Sequence, residues 1–262
     1  MRLAQAKHAF ITGGASGFGL AFGDALVARG IRVTLADANG GALEAALASR
    51  GPDFRGALLD VRDRDGWVRA KAEAEAAFGL VDLLFNNAGI APDGKDLADM
   101  PPESFDRVIG INLVGVFNGV SAFAADMRAR RRGHIVNTSS MSGMVADNTG
   151  LGSYSTSKFA VVAMTEVLRQ ELEPHGVGVS VFCPGYTATG LMENTAMMGG
   201  DLPRPDASLR AVPIKPEALA PLVLDAIERD LLYIFTHPER RAAVEGRLAG
   251  IMAGFEAMQE LR

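Results

Sequence analysis

The chain lacks most of the residues that mark extracellular or metal-dependent proteins. Cys183 is the one cysteine in 262 residues, so no internal disulfide can form and nothing points to an oxidising compartment. It stands at a strand end before Pro184 and reads as an inert, partly buried thiol. The four histidines, His8, His134, His175 and His237, show no metal-ligand spacing, so no metal is expected. A cationic surplus is missing too. With 26 Lys and Arg against 31 Asp and Glu, the net charge of -5 argues against nucleic-acid and anionic-membrane surfaces as partners. Arg128, Arg130, Arg131 and Arg132 read as a solvated helix end suited to the helix dipole. No uninterrupted apolar run approaches the roughly 18 residues of a membrane span, and residues 1–7 contain no signal-peptide core. The expectation is a cytoplasmic protein whose partner is a small molecule.

What is present is alternation. Short apolar runs predict strands at 8–12, 32–36, 55–59, 82–85, 134–138 and 177–182, with a late one at 232–235. Several are apolar without a period of two, as strands covered on both faces are. Helices are expected between them at 17–28, 41–49, 64–77, 102–130, 154–174 and 216–229. Such alternation implies an α/β fold with a parallel, doubly wound sheet of about seven strands, helices on both faces, and one domain over residues 1–262. Two stretches break the rhythm. Residues 186–213, rich in Met, Gly and Pro, follow the sixth strand and would form a substrate lid at the carboxyl edge of the sheet. Residues 237–262 predict a terminal helix whose Val244, Leu248, Ile251, Phe255 and Met258 make one apolar stripe. That stripe fits either docking on its own domain or a subunit contact.

The chemistry-bearing motifs sit at strand ends. The first strand runs into Thr12-Gly13-Gly14-Ala15-Ser16-Gly17-Phe18-Gly19 and then a helix. Glycines there allow a tight turn and close approach to a pyrophosphate, and the helix N-terminus offers free N–H groups. The same residues also make a plain structural turn. Asp37 ends the second strand, where an acid accepts hydrogen bonds from an adenosine ribose and repels a 2′-phosphate; neither Ser16 nor Ala38 offers a cation to hold that phosphate. Asn39 and Gly40 follow, so Asp37 also reads as a helix cap. Tyr154 and Lys158, four apart, share a helix face. A phenol with a pKa near 10 is a poor base at neutral pH, and a nearby ammonium lowers it. Such a pair also occurs on ordinary solvated helices.

Taken together, and in this order, the motifs resemble the short-chain dehydrogenase/reductase family from about residue 7 to residue 189. Thr12, Gly13, Gly17 and Gly19 match its glycine-rich turn, and Asp60-Val61 its adenine-side dipeptide. Asn86-Asn87-Ala88-Gly89 matches the segment after the fourth strand, and Asn112 its helix asparagine. Ser139-Ser140 matches the serine pair, whose second member is catalytic; Tyr154 and Lys158 match the catalytic pair, and Pro184-Gly185 with Thr189 the nicotinamide-side segment.

The resemblance implies a Rossmann-type fold, a homo-oligomer, and NAD as cofactor, held by Thr12, Gly13, Ser16, Gly17, Phe18, Gly19, Asp37, Asp60, Val61, Asn87, Ala88, Gly89, Tyr154, Lys158, Pro184, Gly185, Thr187 and Thr189. It implies that Tyr154 exchanges a proton with the substrate oxygen and that Ser140 orients that oxygen. Lys158 lowers the tyrosine pKa and binds ribose hydroxyls, and Asn112 anchors a water in a proton relay. Substrate contacts are expected from Ser140, Ser142, Tyr154, Tyr186, Leu191 and Met192, with Met197 and Met198 also lining the lid. Its few charges suggest a hydrophobic or aromatic secondary alcohol or ketone. Residues 232–239 resemble dehydrogenases that oxidise benzylic alcohols of lignin-type aryl ethers. The alternatives are an NADP-dependent carbonyl reductase, which Asp37 disfavours, and a non-enzymatic dinucleotide sensor, which would need no Tyr154–Lys158 pair.

Overall fold

The computed structural model describes residues 3–200 and 213–261. Seven strands form one parallel sheet: β1 (His8–Thr12), β2 (Arg32–Asp37), β3 (Phe54–Leu58), β4 (Leu83–Asn86), β5 (His134–Thr138), β6 (Gly178–Cys183) and β7 (Tyr233–Phe235). Their order is β3-β2-β1-β4-β5-β6-β7. Strands β1, β4, β5 and β6 are buried throughout, which is why their sequences run apolar rather than alternating. The edge strands β3 and β7 expose side chains.

Helices α1 (Gly17–Val27), α2 (Gly40–Ala48) and α8 (Pro216–Glu228) cover one face; α3 (Arg64–Phe78), α4 (Pro102–Ile109), α5 (Gly115–Ala129) and α6 (Gly152–Leu172) cover the other. On the first face Phe22 packs against Phe85 and Phe182, with ring centroids 5.2 and 5.6 Å away. On the second, Phe10 meets Trp67 and Phe123 at 5.7 and 5.3 Å. Truncating a buried ring of this kind to alanine costs about 3–5 kcal/mol.

Strand order reverses between β1 and β4, and the crevice at such a reversal is where open α/β sheets take ligands.

Three expectations need correction. The single helix expected over 102–130 is interrupted: Gly110–Val114 forms a π-helical turn between α4 and α5. A π turn accommodates one surplus residue, and here that turn contains Asn112. Within the helix expected over 237–262, Pro238–Arg240 is a 3₁₀ turn, and the helix proper, α9, spans Arg241–Glu260. Val244 touches the body, but Leu248, Ile251, Phe255 and Met258 are exposed, so the described residues cover only the start of the stripe. Third, the lid expected over 186–213 includes α7 (Leu191–Met197), whereas residues 201–212 lie outside those described.

The stretch Pro102–Ala129 is long and apolar enough to cross a membrane, yet half of its most apolar window is buried against the sheet.

Candidate active site

The carboxyl ends of β1, β2 and β4 build an open cleft between Asp37, Asp60, Gly13 and Gly89. Gly13 has φ +61°, and a Cβ there would lie 2.9 Å from the Ala88 Cα; one on Gly19 would lie 2.1 Å from the Gly13 carbonyl oxygen. No side chain fits at either position, which leaves backbone at the cleft surface. The Ser16 side chain caps no N–H of α1, so that helix start keeps its affinity for an anion.

Thr12 plays a part that sequence reading did not give it. Its hydroxyl accepts from the Asn87 and Ala88 N–H groups at 2.9 and 3.0 Å and donates to the Phe85 carbonyl. Asn87 returns a bond to the Thr12 carbonyl at 3.0 Å. Thr12 and Asn87 therefore clamp β1 to β4. The Phe18 ring likewise turns away from the cleft, 4.8 Å from Phe182 in the core.

Asp37 is buried at the end of β2, its carboxylate accepting from the N–H groups of Ala15 and Asn39 at 3.0 Å each. The cap of α2 is Asn39, which accepts from the Ala42 N–H, so the capping reading of Asp37 falls. Each carboxylate oxygen keeps acceptor capacity toward the cleft. Asp60 is paired with Arg62 at 2.6 Å, and that bond holds its carboxyl below the usual range. The Val61 carbonyl accepts from Trp67 and Asn118.

On the other side of the reversal the proton-handling groups converge. The Ser140 hydroxyl draws the Tyr154 phenol pKa down and caps the turn beyond it by accepting from the Ser142 N–H at 3.1 Å. Ser139 is buried, donating to the Lys158 carbonyl at 2.8 Å, which separates the two serines by role. Lys158 Nζ donates to the Thr138 carbonyl at 3.0 Å and sits 5.4 Å from the centre of the Tyr154 ring.

Burial lowers the Lys158 pKa to about 8. Burial also raises that of Tyr154, with Ser140 opposing. Desolvation of the phenolate is the largest influence on Tyr154. Asn112 divides its amide between two residues, accepting from the Ile90 N–H at 2.8 Å and donating to the Ile90 carbonyl at 2.9 Å and to the Ser157 hydroxyl at 3.4 Å. A Cβ on Gly89 would lie 3.3 Å from Asn112 Oδ1 and 3.6 Å from Lys158 Nζ, so the missing side chain keeps the space between them open.

The segment after β6 closes over both halves. A Cβ on Gly17 would lie 3.0 Å from Thr189, and one on Gly190 2.9 Å from Ser16 Oγ. Thr187 donates to the Gly185 carbonyl at 3.1 Å. Helix α7 is pinned by Thr195, which accepts from the Ala91 N–H at 2.8 Å.

Asn194, Met197 and Met198 consequently line the cleft beside Asp37 and Gly89, so the two methionines expected in the lid reach this side of the site. No local signal gives this placement, because it depends on where α7 folds back. Tyr186 and Met192 stay exposed and Leu191 and Ser142 half-buried. Among the described residues no cluster suits a metal ion.

Glycine cradle, uncapped helix start and distal carboxylate together fit a dinucleotide. The sequence model of the short chain dehydrogenase family matches residues 7–198, and the chain belongs to that family of oxidoreductases. It is 35% identical to the C alpha-dehydrogenase of Sphingobium sp. strain SYK-6, over 97% of this chain and 88% of that protein. Among solved structures it resembles a short chain dehydrogenase/reductase from Burkholderia phymatum in complex with NAD, with a TM-score of 0.87, 32% identity and 97% coverage of both chains. It also resembles the apo form of LigO from the same Sphingobium strain, with a TM-score of 0.82, 30% identity and coverage of 98% and 92%.

Proposed function

We propose that the protein is an NAD-dependent dehydrogenase of a hydrophobic or aromatic secondary alcohol, or of the matching ketone. The observation that carries the cofactor choice is the Asp37 carboxylate in a cleft whose described lining holds no lysine or arginine. A 2′-phosphate there would meet like charge without compensation, whereas ribose hydroxyls would meet an acceptor. The likeness to a structure solved with NAD supports the same reading. For the substrate, support comes from the exposed Tyr186 and Met192 at the open side of the site and from the likeness to a C alpha-dehydrogenase.

A bound nicotinamide supplies or takes up the hydride. The chain's own part is the proton and the geometry. Tyr154 gives or takes the proton at the substrate oxygen. Ser140, whose hydroxyl acts on that phenol, orients the same oxygen. Lys158 sits where it can serve ribose hydroxyls, and Asn112 faces it across Gly89. The test is steady-state kinetics with NAD and NADP on one aryl alcohol; equal efficiency with NADP overturns the reading of Asp37.

We further propose a symmetric homo-oligomer. Support comes from Phe117 on α5 (49% exposed), Val167 on α6 and the open stripe of α9, where Phe255 is 64% exposed. A lone 27.6 kDa species in light scattering at micromolar concentration contradicts it.

A further inference from the structure

His237 lies beyond β7, outside every motif that defines the family, yet it is buried against the active-site strand β6 at 7% exposure. Its ring bridges two consecutive residues of the segment that follows β6. The Gly185 N–H donates to Nδ1 at 2.9 Å. A backbone N–H can only donate, so Nδ1 carries no proton, and the Thr236 hydroxyl 2.9 Å away donates to it as well. Nε2 therefore holds the proton and donates to the Tyr186 carbonyl at 3.2 Å.

The fit is steric as well as polar: a Cβ on Gly185 would lie 2.5 Å from the imidazole Cγ. One residue earlier, the Pro184 carbonyl accepts from the Met141 N–H at 2.9 Å and from the Ser140 hydroxyl at 3.5 Å. The imidazole thus holds a short stretch of backbone whose other side touches Ser140.

We propose that His237 is a positioning residue that fixes Gly185 and Tyr186 at the nicotinamide end of the cleft and, through Pro184, fixes Ser140. The proposal rests on reading the cleft as a nicotinamide dinucleotide site. It sets the reduced cofactor's ring end apart from its adenine end, which Asp37 serves. Loosening the segment therefore weakens the first and spares the second.

The test compares His237→Phe, which fills the space without either bond, with His237→Asn, which keeps an acceptor near the Nδ1 position, and His237→Gln, which keeps a donor near Nε2. Each is titrated with NADH and, separately, with ADP-ribose, which lacks the nicotinamide. His237→Phe is expected to weaken NADH about tenfold and leave ADP-ribose within about twofold, with His237→Asn recovering most of the loss. If the Phe variant does not fold, Asn near the unmodified protein and Gln clearly weaker supports the proposal; equal Asn and Gln variants overturn it. Unchanged NADH affinity in a folded Phe variant, or equal weakening toward both ligands, also overturns it. Absence of NADH binding to the unmodified protein removes the cofactor reading itself, whereas NADH binding that ignores position 237 removes only the role of His237.

Discussion

The two ends of the sheet make opposite use of buried polar groups, and strands β1 and β5 contribute to both. At the amino end of β1, His8 is fully buried, its two ring nitrogens bonded to the Gly79 carbonyl and to Thr34 Oγ1. At the amino end of β5, His134 is equally buried, with Nε2 on Ser180. Asp82 is tied to Arg132 at 3.1 Å and Asp230 to Arg169 at 2.7 Å around them. These groups lock strands together. At the carboxyl ends of β1, β4 and β5, Thr12, Asn87 and Ser139 do the locking, and Ser140, Tyr154 and Lys158 keep hydrogen-bonding capacity for a ligand. A buried polar group is structural where its partners close on one another and functional where the site around it is left open.

The largest break in this contrast should come from Tyr154→Phe. Turnover is expected to fall by about 10²–10⁴, the usual worth of a general acid/base. NADH affinity should stay near that of the unmodified protein, since the change deletes one hydroxyl. A folded variant with near-normal turnover would falsify the role of Tyr154.

Next comes the adenine side. Asp37→Ser with Ala38→Arg removes a repulsion and adds a phosphate partner. A preference for NAD of roughly a hundredfold corresponds to about 2.7 kcal/mol, a size that like charges at about 4 Å reach at an effective dielectric near 20. The double variant should narrow or invert that preference in kinetics with both cofactors, and an unaltered ratio removes Asp37 from the explanation.

The amino end yields the smallest effect, in stability rather than rate. Burial lowers the His134 pKa from about 6.5 to about 3, with Asp230 opposing, and burial lowers that of His8 as well. Above pH 6.5 the His134 ring is neutral folded or unfolded and contributes no pH dependence. Below it the unfolded chain takes a proton that the folded chain refuses, so stability falls as pH drops from about 6.5 toward about 3. His134→Gln, which can still reach Ser180, should shrink the loss of unfolding free energy between pH 7.5 and 5.5 by about 1 kcal/mol. Denaturant titrations at the two pH values decide; an identical loss in both proteins removes His134 as the source.

How far the sequence reached differs along the chain for physical reasons. The strands that begin at His8, Arg32, His134 and Gly178 are legible because burial on both faces demands uninterrupted apolar residues, a local signal. Residues near the glycine turn and around Tyr154 are legible because their chemistry requires particular types at fixed spacing. Asn194, Met197 and Met198 at the cofactor cleft are not, since they arrive there through the fold of α7. Nor is the bond from Gly185 to His237, which joins residues 52 positions apart. Phe18 misleads in the opposite way: its place beside the glycines suggests the cleft, but α1 rotates its ring into the core.

The π turn at Gly110–Val114 stores a reading-frame relation between the two halves of a helix. Each residue of an α-helix turns the chain by about 100°. Deleting one residue from the turn would let an ordinary helix run from Pro102 to the end of α5. The wider π turn absorbs that rotation, so the helix faces before and after it would keep their places. Asn118, which holds the Val61 carbonyl, and Phe123, which packs on Phe10 and Trp67, would stay on the sheet, while the turn that brings Asn112 to Ile90 would be lost. A chain can lengthen or shorten its surface loops with little penalty, but here the residue count is held by Asn112 on Ile90.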